Sequence, residues 1–312
     1  MPSVRAAGRS ERPAARRRGR SRRTREALFA TAFLAPSVLL LGLFVIAPAL
    51  WAVRNSFMSY SLNGIDATSH HFVGFANYRA LLSDPDFRTA VVRTGWFVLA
   101  SAVVGQFILG LAAALALARR DIRARGAFGA AIILPLAVPE TVAALTWASM
   151  LAAGGKGTAN RALALTHLGP IEWIATHAML SIIIVNIWRG VAFAAILFGG
   201  ALEAVPASVV EAARVDGAGA PRLFWYVTLP LIKHAIALYM LMTVIGTVTL
   251  FGLVFFLTQG GPGSDTTLAS IYIYLQSFKF FEFGIGSAAS VLLLCLVVPL
   301  GVIYTRLLRA RI

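Results

Sequence analysis

Two charges stand inside long apolar runs of this 312-residue chain, Glu140 and Arg189. An ionised side chain at membrane depth is costly and usually faces a bundle interior or a water-filled path. Asn186, Gly190 and Phe193 stand at helical spacings of four and three and lie near one face, with Arg189 close beside it. Hydroxyl-binding polar groups beside an aromatic ring are what a polar solute needs from a binding surface. Thr243, Thr247 and Phe251 recur at four-residue steps further on and suit an opposite wall. Two readings stay open. Arg189 lines a path, or it pairs with Glu140 as a structural element. The threonine stripe lines that path, or it packs helices through its hydroxyls.

Other chemistry is poorly supported. A phosphate-cradling G-x-x-x-x-G-K-[ST] loop is missing. The nearest string, Gly154-Gly155-Lys156-Gly157-Thr158, has Met150 in place of the first glycine and Gly157 in place of the hydroxyl residue. Any ATP hydrolysis must therefore come from another chain. The five histidines are scattered, and no His/Cys/Asp/Glu group has metal-ligand spacing. We expect no metal and no cofactor. Cys295 is the single cysteine, which excludes an intrachain disulfide. Asp84 and Asp86, the close acidic pair a membrane enzyme would need, flank Pro85 without a histidine. No internal repeat of the kind found in secondary carriers is evident.

Lipid must surround the elements that position these residues. The chain is 58% hydrophobic and 13% charged, against about 25% charged in soluble domains. Crossing about 30 Å of hydrocarbon takes about 20 apolar residues in a helix. Six stretches qualify: 28–53, 94–118, 127–151, 177–202, 234–258 and 284–308. Backbone in lipid must satisfy its own hydrogen bonds, so these are helices. The first is too long for the apolar core of a signal peptide and reads as a retained span.

Net charge is +15, and ten of the 28 basic residues are arginines between Arg5 and Arg25. With the N-terminus inside, 20 basic residues fall on the inner side and 7 on the outer. That asymmetry orients both ends to the cytoplasm and makes nucleic acid an unneeded partner. The expected organisation is a disordered basic arm (1–27), a first span (28–53), an outer loop with a short surface helix (54–93), a core of five spans (94–308) and a tail (309–312).

The inner loop 203–233 carries its own pattern. Pro206 suits a helix start. Val209, Val210, Ala213 and Val215 give one mostly apolar face, and Gly217 fits the helix end, where glycine takes a left-handed turn. A second short helix is expected from near Pro221 to before Pro230.

Glu211-Ala212-Ala213, then Gly217, then Leu229-Pro230 resembles the EAA signature of binding-protein-dependent ABC importer permeases. Phe72-Val73-Gly74-Phe75-Ala76-Asn77-Tyr78, Leu257-Thr258-Gln259-Gly260-Gly261-Pro262 and Asn186-Ile187-Trp188-Arg189-Gly190 are similar to the sugar-permease, maltose-permease-like branch. The resemblance runs from about residue 28 to 308. It implies an all-α membrane protein with the type I importer permease fold and a cytoplasmic coupling helix. It assigns Glu211, Ala212, Ala213, Asp216, Gly217 and Pro230 to ATPase coupling, and Asn186, Arg189, Gly190 and Phe193 to the solute path. It implies a second permease subunit, two ATPase subunits, an outer solute-binding protein, a bacterial or archaeal cytoplasmic membrane, and a carbohydrate as solute, either an oligosaccharide or a polyol phosphate. Arg189 departs from the apolar residue of the maltose case and suits an anionic or a heavily hydroxylated solute alike. Lys233 and His234 stand where the family often has a further proline.

Overall fold

In the computed structural model, residues 29, 31–63, 67, 70–119, 124–167 and 169–309 are described. The basic arm and most of the tail lie outside them. The chain divides into two units, Met1–Arg54 and Asn55–Ile312. Among the described residues, the first unit holds most of the apolar helix Thr31–Ser56, whose 26 residues span about 39 Å at 1.5 Å per residue.

The second unit is a helical bundle. Its longest helix is Pro85–Ala118. It starts at Pro85 rather than at Thr94, because a complete start signal lies upstream. Asp84 Oδ1 accepts from the Asp86 N–H at 2.8 Å, and Pro85 fills the first turn. Asp86, Arg88 and Arg93 kept this turn out of the apolar count. The surface helix ahead of it is Ala76–Ser83. Asn77 Nδ2 ties that helix to the carbonyls of Ser56 and Met58, at 3.0 and 2.9 Å.

Two expected spans are broken. The stretch 127–151 is a pair, Arg125–Ala137 and Glu140–Met150, bent by 108°. Val138, driven extended by the following proline, has ψ 123°. The stretch 234–258 is also interrupted: Lys233–Val248 ends, and Gly252–Thr258 begins after 249–251. Among the described residues four helices are long and apolar enough to cross a membrane, and up to six if the bent pairs Arg125–Ala137 with Glu140–Met150 and Ala220–Leu231 with Lys233–Val248 each count as one span.

Ala178–Glu203 stands at the centre. It meets the long second span at van der Waals range through small residues. A Cβ at Gly105 would lie 2.2 Å from Ile187, and one at Gly110 2.1 Å from the Ala194 Cβ. Small residues are what let membrane helices approach this closely. The main core cluster includes Phe97, Ile182, Val185, Leu253, Leu268 and Ile271. A second gathers Leu111, Phe198 and Tyr239 toward the other end of the bundle. The last helix, Phe283–Arg309, carries Pro299 within it.

On the short helix Ala269–Tyr274, Tyr272 donates to Asp84 Oδ2 at 2.5 Å. Burial first, then the facing carboxylate, pushes the Tyr272 phenol well above its ordinary range. Next to it, the buried Thr94 Oγ1 accepts the Ala269 N–H at 2.8 Å. These two bonds fix the segment that follows the turn 259–263 to the start of the second span.

Candidate functional site

A cavity of about 330 Å³ opens where the helix breaks converge. Asn186, Arg189, Gly190 and Phe193 line one wall, and Thr243 and Thr247 the other. The two groups singled out in sequence therefore face one space. Phe251 is not among the lining residues. It stacks on Phe255 with centroids 5.0 Å apart, meets Tyr274 at a tilt with centroids 5.1 Å apart, and packs against the main core cluster. The helix ends before it, so the four-residue step from Thr247 no longer sets its direction.

Glu140 and Arg189 both border the cavity. Arg189 Nη1 lies 3.9 Å from Glu140 Oε2. That is an ion pair without a direct hydrogen bond. The other carboxylate oxygen, Oε1, accepts the Leu253 N–H at 2.6 Å. Glu140 thus satisfies a backbone donor in the first turn of Gly252–Thr258. Arg189 Nε is buried and has no hydrogen-bond partner among the described residues. The pairing is present, and both partners stand at the cavity wall.

Asn186 is largely occupied by packing. Its Nδ2 donates to Ser101 Oγ at 2.8 Å, and its backbone carbonyl accepts from Gln106 Nε2 at 2.9 Å. Gln106, which lines the cavity, is a residue the sequence reading missed. It is 3% exposed. A lone amide within an apolar run was the available signal, since such a group must find partners in lipid. It sits in the wide-turn stretch Val98–Gln106 of the second span, a local widening common near functional sites. Gly190 makes room for it: a Cβ there would fall 2.0 Å from Gln106 Cδ.

The inner loop forms a separate feature. Ala207–Val215 is a helix entered from Pro206, with Glu211 and Ala212 exposed and Ala213 half-buried. It ends in a Schellman turn. The Ala218 N–H donates to the Ala213 carbonyl at 2.9 Å, and the Gly217 N–H to that of Arg214 at 3.0 Å. Gly217 has φ +80° and open space where a Cβ would point. Asp216 caps the helix and is exposed. The following helix, Ala220–Leu231, does not stop before Pro230. It runs through it and then bends by 66° into Lys233–Val248. Pro230 is accommodated because it falls in the first turn after a wide-turn stretch, Phe224–Thr228. Val215, Trp225 and Tyr226 are exposed around this stub, at 87%, 62% and 80%.

A bundle of apolar helices, broken around a cavity that holds a charged pair and carrying a helical stub outside the candidate spans, is the build of a multi-pass membrane protein. Residues 106–311 match the family of binding-protein-dependent transport system inner membrane components, and the chain belongs to that family. It is 32% identical over 287 residues to the sulfoquinovosyl glycerol transport system permease protein SmoG of Agrobacterium fabrum, covering 91% of each chain. It is 33% identical over 242 residues to the trehalose/maltose transport system permease protein MalF of Thermococcus litoralis, covering 77% of this chain and 81% of that one. The sn-glycerol-3-phosphate transport system permease protein UgpA of Agrobacterium fabrum is 30% identical over 285 residues, 89% of this chain and 94% of that one. In fold, it is similar to a chain of a bacterial alginate ABC transporter solved with an alginate pentasaccharide-bound periplasmic protein. The TM-score is 0.77 at 19% identity, with 93% of this chain and 96% of that one covered.

Proposed function

We propose that this chain is the permease subunit of an ATP-driven importer that carries a carbohydrate across a bacterial or archaeal cytoplasmic membrane. The observation that carries the reading is the exposed stub Ala207–Val215, closed by a glycine at φ +80° with nothing over it. Such a surface accepts a close partner without clash. The partner is a separate ATPase chain, with Glu211, Ala212, Ala213, Asp216 and Gly217 at the contact and Pro230 shaping the return to the membrane. The complex contains two ATPase copies, a second permease subunit and an outer binding protein. Both ends of this chain lie in the cytoplasm, with 28–53 and 94–308 in the membrane and 54–93 outside. The cavity at Arg189 is this chain's half of the solute path. Closure of the ATPases pulls on the stub and opens that path alternately to each side. The carbohydrate assignment draws on relatives named for sugars and glycerol derivatives.

The test is ATP-dependent uptake by the importer reconstituted with its binding protein. In Gly217→Pro, the ring cannot adopt positive φ and the N–H donated to Arg214 is gone. The complex should insert but hydrolyse ATP without uptake. Normal uptake by that variant would refute the coupling role.

A further inference from the structure

The permease relatives are named for solutes of both kinds, uncharged sugars and anions. We propose that the Arg189–Glu140 pair selects an uncharged, polyhydroxylated solute and disfavours an anionic one. This rests on the importer reading above.

Glu140 and Arg189 are the charged groups among the cavity's lining residues, so the wall offered to a solute is neutral overall. The 3.9 Å between Nη1 and Oε2 is too long for a direct hydrogen bond. A hydroxyl fits between such groups because it can accept from the guanidinium and donate to the carboxylate at once. Two adjacent hydroxyls on a ring can use Nη1 and Oε2 in parallel. A sulfonate or phosphate monoester brings acceptors that suit Arg189 but also a like charge beside Oε2. That repulsion is strong where water is scarce. Glu140 cannot swing away cheaply, because Oε1 is held by the Leu253 N–H at 2.6 Å. The carboxylate also has little room: a Cβ at Gly252 would lie 2.8 Å from Oε1. Phe193, on the same wall as Arg189, presents a partly exposed ring on which the apolar face of a sugar can lie.

The experiment uses the complete importer in liposomes, with its binding protein outside and ATP inside. The probe is the small-molecule extract of the source cells, and mass spectrometry reads what accumulates only with ATP. An uncharged polyol or sugar is the expected result. An anionic solute overturns the inference and leaves the importer reading standing. No ATP-dependent accumulation of anything overturns the importer reading, and the inference with it. The second arm is Glu140→Gln. The amide oxygen still accepts from Leu253, but the negative acceptor is lost. Uptake of the identified solute should fall at least tenfold, with recovery of the ATPase in the purified complex reporting on assembly. Unchanged or faster uptake in an assembled Glu140→Gln complex overturns the inference, because removing a repelling charge should help an anion.

Discussion

Gly190 offers the most direct check on how the cavity wall is built. An added methyl group would lie 2.0 to 2.4 Å from the amide atoms of Gln106. Those atoms are the far end of a flexible side chain, so the backbone need not move. The amide must move instead, and it gives up its 2.9 Å bond to the Asn186 carbonyl. Gln106 is 3% exposed, so the freed N–H has no second protein acceptor at hand among the described residues and gains at most a cavity contact. Leaving a buried donor unsatisfied costs about 1–3 kcal/mol. At about 2–4 °C per kcal/mol, Gly190→Ala should lower the Tm of the purified complex by roughly 2–12 °C. Gly95→Ala is the control, since nothing lies within 4 Å of its Cβ position. Replacing an exposed helical glycine by alanine should stabilise by about 0.5–1 kcal/mol. Gly110→Ala gives the other bound. There the obstacle is the Ala194 Cβ at 2.1 Å, which cannot rotate away. The two helices must separate, and the loss should reach the upper part of the overpacking range, about 3 kcal/mol. In the double variant Gln106→Ala, Gly190→Ala, the clash is gone, so the two costs should fall short of additive by about 1 kcal/mol or more. Equal melting of Gly190→Ala and Gly95→Ala, or strict additivity in the double variant, would refute the packing account.

Thr94→Val removes the acceptor for the Ala269 N–H and should cost about 1–3 kcal/mol by leaving that donor orphaned; thermal melting checks it, with Thr94→Ser expected to restore most of the loss. Asn160 Nδ2 and Oδ1 bind Gly154, Ile171 and the Trp173 indole, so Asn160→Ala should speed amide hydrogen exchange across 152–173 while the exchange of 178–203 stays slow. Phe251→Leu should lower thermal stability and leave the choice of solute unchanged in uptake competition, because its ring packs on Phe255 and Tyr274 and is not among the cavity's lining residues.

The legible parts of the fold are those in which one segment determines its own outcome. The span expected at 177–202 appears as Ala178–Glu203, since an unbroken apolar run in lipid has little choice but a helix. Gly217 was legible for the same local reason: a glycine after an amphipathic turn ends it left-handed. The 108° bend at Val138 and Pro139 was half legible. Pro135 and Pro139 mark the segment, but Pro135 stays inside its helix while Pro139 ends one. Which proline bends and which breaks depends on what receives the freed backbone groups. At 249–251 the flanking Gly246 and Gly252 mark the neighbourhood of the interruption, but neither fixes where the helix stops. The polar contacts that permit it come from elsewhere in the chain. The candidate site divides the same way. Residues three and four apart on one helix were readable as a face, whereas Gln106, 80 residues from Asn186, is joined to the site by tertiary packing alone.

The interruption at 249–251 and the cavity are one feature seen from two sides. A break in a membrane helix frees donors and acceptors that lipid cannot satisfy, so it persists only where protein or a polar space receives them. Here the Leu253 N–H goes to Glu140 and the Leu250 carbonyl to Ser270 Oγ at 2.7 Å. Glu140 can reach because its own helix starts at that residue, immediately after the other break. The first interruption thus supplies the acceptor that the second one needs. An unbroken helix through 249–251 would leave the Glu140 carboxylate without its backbone donor at membrane depth, with only the long contact to Arg189 to offset its charge. The charged pair and the two breaks therefore stand or fall together. The charged pair at the cavity wall is a physical consequence of how this chain interrupts its own helices.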